Sequence, residues 1–413
     1  MVAISPLFFL NKGGLSTLKA TRNNFFFCVL AGGIAAMLLL ILQIVTHQPF
    51  FTAQPYNSYI LQAQSWLQGR LDLGQDYPYL ELAIYHGKYF VSFPPFPSYL
   101  MLPFVALGWN SCDGTIAFVS AIFGAVYAYR LAAHWISDKK AALLFALLVT
   151  IGSNWLFTSV NAWVWFIAQN LAFTLTMAAL FYAARGKAGA AFTLWACAVG
   201  CRPFQILYII VILYLLYDAY KQQPLREMLR SHITAVIPAC CIAASYMLLN
   251  FLRFGSITEF GHNYLPEFMR VQTGQFNLEY IKTNFGHLFR LPLFKNGRIE
   301  FQNADGFCMF LASPILISFF VYWLIGMVRG HAKDRIKLSV IMALFWIHLI
   351  AITAHKTMGG SHYGNRYVND TLPVIFAALC FIAAKYKKGV LLNVLPLSMG
   401  TALNVYWILL YFK

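Results

Sequence analysis

Acid is scarce in this chain: 14 Asp and Glu stand against 30 Lys and Arg in 413 residues. Charged residues make up only 11% of the whole, where a soluble domain carries roughly 25%, so an ordinary water-soluble fold is excluded. No loop holds an Asp-x-Asp pair. Hard divalent cations need several oxygen ligands, so no metal site is expected. Of the eight cysteines, only Cys197 and Cys201 come close together in a suggestive way, and they sit one helical turn apart in an apolar run. Two small packed thiols account for them better than a metal or redox pair. Nothing in the sequence calls for a cofactor. There is no internal repeat, low-complexity tract or appended soluble segment, and the whole of 1–413 reads as one membrane domain. The first apolar run begins near Phe25 and is long enough to span a bilayer, unlike the short core of a cleavable signal.

What is abundant is apolar. Hydrophobic residues reach 60%, aromatics 17%, and mean hydropathy is +0.63. A span needs about 20 apolar residues. Eleven are expected, near 25–46, 114–136, 141–160, 162–183, 188–203, 204–220, 232–252, 306–328, 337–354, 368–384 and 389–411. The fold class is therefore an all-α polytopic bundle. The +16 net charge is then a topology signal, and its position matters more than its size. Lys12, Lys19 and Arg22 precede the first run. Lys139 and Lys140, then Arg185 and Lys187, then Lys221, Arg226 and Arg230 follow later ones. Arg329, Lys333, Arg335 and Lys337, and finally Lys385, Lys387 and Lys388, continue the series. Alternate connections are basic, which places the N-terminus in the cytoplasm and the C-terminus outside. The stretch 188–220 is broken only by Arg202-Pro203, between two cationic flanks. Two short spans or a re-entrant pair meeting at Arg202 satisfy both flanks; one long kinked helix is the alternative.

Two long connections, 47–113 and 253–305, fall on the outer side. The first holds an amphipathic stretch at 56–67 whose apolar positions Tyr56, Ile60, Ala63 and Leu67 suit a helix lying in the interface. The Pro-rich run 93–108 is too short to span. A polar knot at 355–373 separates two apolar runs and brings Lys356, His362, Arg366 and Asp370 to the edge of hydrocarbon. Desolvating such groups costs several kcal/mol or more unless they are paired or hydrated. Cations kept in such a place suit an anionic ligand.

Three segments together resemble the GT-C superfamily of polytopic glycosyltransferases, which use polyprenyl-phosphate-linked sugars and include protein mannosyltransferases and aminoarabinose transferases. They are Leu-Gln-Gly-Arg-Leu-Asp-Leu at 67–73 with Glu-Leu-Ala-Ile-Tyr-His-Gly-Lys-Tyr-Phe at 81–90, Asn-Phe-Leu-Arg-Phe-Gly-Ser-Ile-Thr-Glu-Phe-Gly-His at 250–262, and Gly-Gly-Ser-His-Tyr-Gly-Asn-Arg-Tyr-Val-Asn-Asp at 359–370. The resemblance implies transfer of a sugar from a polyprenyl-phosphate carrier to a glycan, lipid or protein acceptor at the outer face of a bacterial inner membrane, with no nucleic-acid partner. In one respect the chain departs from the pattern. Many members carry a carboxylate at the start of the first outer loop, where this chain reads Gln-Pro-Tyr-Asn-Ser-Tyr at 54–59. The role of base would then move to Asp72, Asp76 or Glu81, or be absent.

Such chemistry needs fixed cations for the leaving phosphate, for which arginine's fork is well matched. Arg366, Arg202, Arg253 and Lys356 are the candidates. It also needs a carboxylate near the acceptor and an apolar groove for the isoprenoid. Lys88, Tyr89, Glu259 and His262, with His362, Tyr363 and Asp370 of the knot, are the remaining substrate-binding candidates. Local readings compete with these. Asp72 and Asp76 sit in turn sequences, Glu81 could pair with Lys88, and Arg366 could pair with Asp370 one helical turn on. His348, inside a span, reads as a packed core residue. A lipid-sugar transporter, favoured by the Arg202-Pro203 break, or a non-catalytic lipid-sugar-binding subunit, favoured by the missing acid, are the alternative functions.

Overall fold

In lipid, a chain this apolar can satisfy its backbone only through internal hydrogen bonds, and the structure is accordingly helical. The computed structural model describes residues 12–48, 50–224, 226–227, 233–295, 297–301, 305–360, 362–386 and 390–412. Arg230, Lys387 and Lys388 of the topology argument, and Ser361 of the knot, lie outside the described residues.

Among the described residues, eight helices are long and apolar enough to cross a membrane: Asn24–Thr46, Cys112–Trp135, Val164–Ala184, Pro203–Tyr220, Ile233–Phe254, Ala332–Thr353, Arg366–Tyr386 and Val390–Tyr411. The protein is a multi-pass membrane protein. The other three expected spans are met by shorter helices, Lys139–Val149, Ala188–Val199 and Ile315–Arg329, of 11, 12 and 15 residues. A 12-residue helix rises about 18 Å, short of a hydrocarbon core of about 30 Å. Local chemistry sets several of these ends. Asp138 accepts from the amides of Lys140 and Ala141 to start one helix. Gly255, at φ 71, closes Ile237–Phe254 in the left-handed conformation that glycine adopts without strain.

The chain does not continue as one helix through 188–220. The helix Ala188–Val199 stops, Arg202 is extended at φ −140 and ψ 107, and a 3-10 turn begins at Pro203. Proline removes the amide that would have bridged the two pieces.

Two helices form the buried axis. In Val164–Ala184 and Arg366–Tyr386, 89% and 83% of the apolar window is buried, against 17% in Ile233–Phe254 and 22% in Val390–Tyr411. The first packs most extensively against Cys112–Trp135 and Ala188–Val199. Both axial helices begin at the loop-rich end of the bundle, which brings their first turns to the site described below.

The first long connection contains a helix, Ser58–Leu67, but it does not lie free in an interface. Tyr59, Ile60, Gln62 and Ala63 are buried while Leu67 is exposed. It packs on Phe96–Ala106, where Ser98 donates to Gln62 Oε1 at 2.8 Å. Two small antiparallel hairpins, Leu82–Tyr85 with Lys88–Val91 and Leu293–Lys295 with Arg298–Glu300, interrupt the helical pattern. The first is pinned by Arg253, which donates to the Val91 carbonyl at 3.1 Å and to Asn250 Oδ1 at 3.0 Å.

Candidate functional site

A cavity of about 570 Å³ opens at the loop-rich end. Its floor is made by the chain break at Cys201–Phe204 and by the first turn of the axial helix at Arg366 and Tyr367. Tyr56, Tyr59, Trp163, Trp165 and Phe166 form one wall; Phe260, His262, Phe268, Gln275 and Phe276 form another.

Two arginines meet there under different conditions. Arg202 reaches Asp370 Oδ2 with Nε at 2.9 Å and with Nη2 at 2.8 Å. Asp370 is almost wholly buried, so this pair removes a charge that could not otherwise stay there. Arg366 donates from Nε and Nη2 to one neutral acceptor, the Gly359 carbonyl, at 3.3 and 3.1 Å. Among the described residues no carboxylate lies within ion-pairing distance of it. Both guanidiniums lie against the ring of Tyr367, at 4.9 and 5.0 Å from its centroid. The Arg366–Asp370 pair, the local alternative to a ligand role for Arg366, does not form. Residues 366–371 are a 3-10 helix, in which positions i and i+3 share a face and i+4 turns away. Gly359 has no substitute here: it sits at φ 96, and a Cβ would meet Arg366 Nε at 2.8 Å. Gln169 anchors this turn by donating to the Arg366 carbonyl at 2.8 Å. Gln205 does the same for the Asp370 carbonyl at 3.1 Å.

Four of the sequence candidates line the cavity: Glu81, Arg202, Arg366 and His262. Glu81 Oε2 accepts from Trp165 Nε1 at 3.0 Å. The other two carboxylates are elsewhere. Asp72 caps its own turn by accepting from Gly74 N at 2.8 Å and lies 3.8 Å from Lys88 Nζ, so Lys88 pairs with Asp72 and not with Glu81. Asp76 is exposed in the same loop. Arg253 is spent on the hairpin. Lys356 lies behind the wall, with Nζ on the Glu267 carbonyl and over the Phe268 ring. Tyr89 stays in its strand, where its carbonyl accepts from Leu73 N. Glu259 bonds Gly261 N and Asn263 Nδ2, both at 2.6 Å, and so holds the turn that presents His262. His362 is buried with Nδ1 3.3 Å from the Gly359 carbonyl, and Tyr363 is packed between Phe307 and Trp407.

Other residues of the cavity escaped the sequence reading. Glu267 and Asp305 add two carboxylates to the wall, and His355 a second imidazole. Asp305 Oδ1 accepts from Met358 N at 3.3 Å, which ties it to the knot. His355 was readable as the first residue of that knot; nothing in the local sequence marks Glu267. Burial pushes both His262 and His355 down to about 4, against the opposing carbonyls of Ser92 and Thr357. Both rings are therefore neutral near pH 7, and His262, with Nδ1 3.0 Å from the Ser92 carbonyl, keeps Nε2 for the cavity. Glu267 is raised by burial and then by the Glu81 charge, with Lys356 opposing. The arrangement thus brings two arginines, three carboxylates and a largely aromatic lining to one cavity, and can hold an anion at Arg366. His348, by contrast, is wholly buried, with Nδ1 2.7 Å from the Tyr208 hydroxyl, as its place in a span suggested.

No family model matches the chain, and no curated protein matches it in sequence. Solved structures do. ArnT from Cupriavidus metallidurans bound to undecaprenyl phosphate superposes with a TM-score of 0.51 at 10% identity, over 86% of this chain and 59% of ArnT. The archaeal oligosaccharyltransferase AglB from Archaeoglobus fulgidus, in complex with an inhibitory peptide and a dolichol-phosphate, gives 0.47 at 12% identity, over 93% of this chain and 55% of that one. The chain therefore spans about three fifths of ArnT's length and shares its fold. The likeness to ArnT is one of fold, a polytopic helical membrane bundle.

Proposed function

We propose that this protein is a membrane glycosyltransferase that takes a sugar from a polyprenyl-phosphate carrier at the extracytoplasmic face and passes it to an acceptor of the cell envelope. One observation carries the reading: Arg366 is a buried cation with no carboxylate in ion-pairing contact among the described residues, facing a cavity of about 570 Å³. A buried charge left unpaired is costly, and a ligand phosphate would complete it. The fold shared with ArnT, whose structure holds undecaprenyl phosphate, supports the same reading.

In this reading Arg366 holds the donor phosphate, with Arg202 behind Tyr367 adding a more distant positive charge. The acceptor oxygen or nitrogen attacks the anomeric carbon, the bond from that carbon to the phosphate oxygen breaks, and the electron pair leaves on the lipid phosphate. Charge accumulates there as the bond breaks, so a fixed guanidinium favours the transition state over the ground state. The acceptor proton passes to Glu81, the one of the three expected carboxylates that reaches the cavity. Its bond from Trp165 fixes its direction. Tyr56, Trp163 and Trp165 pair aromatic faces with polar edges and suit a sugar ring. The phenylalanines at 204, 268 and 276 lack such edges and suit the isoprenoid chain. The basic connections support a cytoplasmic N-terminus, which puts this cavity on the outer side.

The test is binding and transfer with a polyprenyl-phosphate sugar in lipid nanodiscs, comparing the wild type with Arg366→Gln. The reading expects donor binding in the wild type and a loss of both binding and transfer in the variant. Equal binding by the two proteins would remove Arg366 from the site.

A further inference from the structure

The charges around the cavity do not favour a highly charged ligand. Arg202 and Arg366 line it with three carboxylates, Glu81, Glu267 and Asp305. Behind Arg202 stands a fourth, Asp370, both of whose contacts with the guanidinium are under 3 Å. Lys356 adds a positive charge, but its ammonium is turned to the Glu267 carbonyl and the Phe268 ring, outside the lining. Among the described residues Arg366 is the lining cation with no carboxylate in ion-pairing contact, although Glu81 and Asp370 act on it from farther off. The site therefore offers one guanidinium that is outside an ion pair and held only by a neutral carbonyl.

We infer that Asp370 is a specificity-determining residue: by holding Arg202 in an ion pair it restricts the cavity to donor heads of a single negative charge, phosphodiesters, and excludes diphosphate-linked lipids. This rests on the donor-lipid reading above and adds to it which carrier chemistry the site accepts. A phosphodiester brings one negative charge to meet Arg366. A diphosphate diester brings two, and the second would stand toward the three lining carboxylates Glu81, Glu267 and Asp305, where like charges repel. Asp370 never touches the lipid. It acts through Arg202, whose guanidinium already lies against the same tyrosine ring as Arg366 and needs only release from the carboxylate to serve as a second anion ligand. Specificity here comes from a withheld attraction as much as from an offered one.

Two short isoprenoid probes separate the cases: farnesyl methyl phosphate, with one charge near neutral pH, and farnesyl methyl diphosphate, with two. Binding of each to the full-length protein in nanodiscs is measured for the wild type, for Asp370→Asn, and for the double variant Arg202→Gln with Asp370→Asn. The wild type should bind the monophosphate at least ten times more tightly. Asp370→Asn should narrow that ratio at least tenfold, because Arg202 is freed. The double variant should return to the wild-type ratio, because one guanidinium again stands alone; it also removes both charges of the buried pair together, so neither is left without the other, which guards against a folding failure of the single variant. Wild-type binding of the diphosphate as tightly as the monophosphate overturns the inference and leaves the donor-lipid reading standing. An unchanged ratio in folded Asp370→Asn, or a shifted one in the double variant, removes the role of Asp370. Failure of the wild type to bind either probe overturns both.

Discussion

Arg202 and Arg366 approach one tyrosine ring from within 5.0 Å of its centroid, yet they end differently: one on a carboxylate, the other on a peptide carbonyl. The first is a completed interaction that joins the chain break at 202 to the axial helix. The second rests on a neutral carbonyl, which leaves its charge open to the ligand proposed above. Proximity to a cavity does not make a cation a ligand; what matters is whether its charge is already answered.

The comparison can be broken most severely at the completed pair. Arg202→Ala leaves Asp370 charged in a place with 1% side-chain exposure and should cost roughly 3–5 kcal/mol of stability. Asp370→Ala should cost less, because Arg202 keeps 20% exposure and can be hydrated from the cavity. Thermal inactivation in detergent orders the two; the reverse order would mean that the pair is not the buried structural tie described. Arg366→Gln should leave stability nearly unchanged and lower transfer by roughly a hundred- to a thousandfold, the usual cost of losing a fixed donor to developing charge. Stability loss without loss of donor binding would reduce Arg366 to the same structural class as Arg202. Glu81→Gln should lower turnover by about a hundredfold while sparing donor binding, whereas Asp72→Asn and Asp76→Asn should turn over within a few-fold of the wild type. Kinetics on the three variants would expose a base at Asp72 or Asp76 at once.

The smallest expected effect is on pH. His262 and His355 are held near 4 in the folded protein, against 6.5 for an ordinary imidazole. Between those values the unfolded chain binds more protons than the folded one, so stability rises with pH there and should fall as pH drops from 6.5 toward 4. Above 6.5 both states are neutral at these positions, and they contribute nothing to a slope. An inactivation temperature that instead fell between pH 7 and 8, with other groups held fixed, would show that these rings are charged when folded.

Much of this was readable in the sequence where the cause was local. The break at Arg202-Pro203 follows from a missing amide, and the knot at 355–373 from polar groups placed against hydrocarbon. The partner of Asp370 was not readable, because it lies 168 residues away and because a 3-10 turn replaced the α-helical spacing that would have favoured Arg366. The choice among Asp72, Asp76 and Glu81 was also hidden. All three share one loop, and only the hairpin's packing shows that Glu81 alone meets Trp165. The helix at Ser58–Leu67 was visible as a period of apolar residues, but its buried side includes Tyr59 and Gln62, chosen by the neighbouring helix and not by hydropathy. Glu267 enters the cavity through a loop fold that no local pattern announces.

The central claim is tested most directly by a structure of the protein with a non-transferable polyprenyl-phosphate sugar bound. The phosphorus should lie within about 4–5 Å of the Arg366 guanidinium carbon, with Arg202 still on Asp370 and the chain leaving past Phe204 and Phe276. A phosphate seated against Arg253 or Lys356, or Arg366 still turned to the Gly359 carbonyl with the lipid bound elsewhere, would contradict the account.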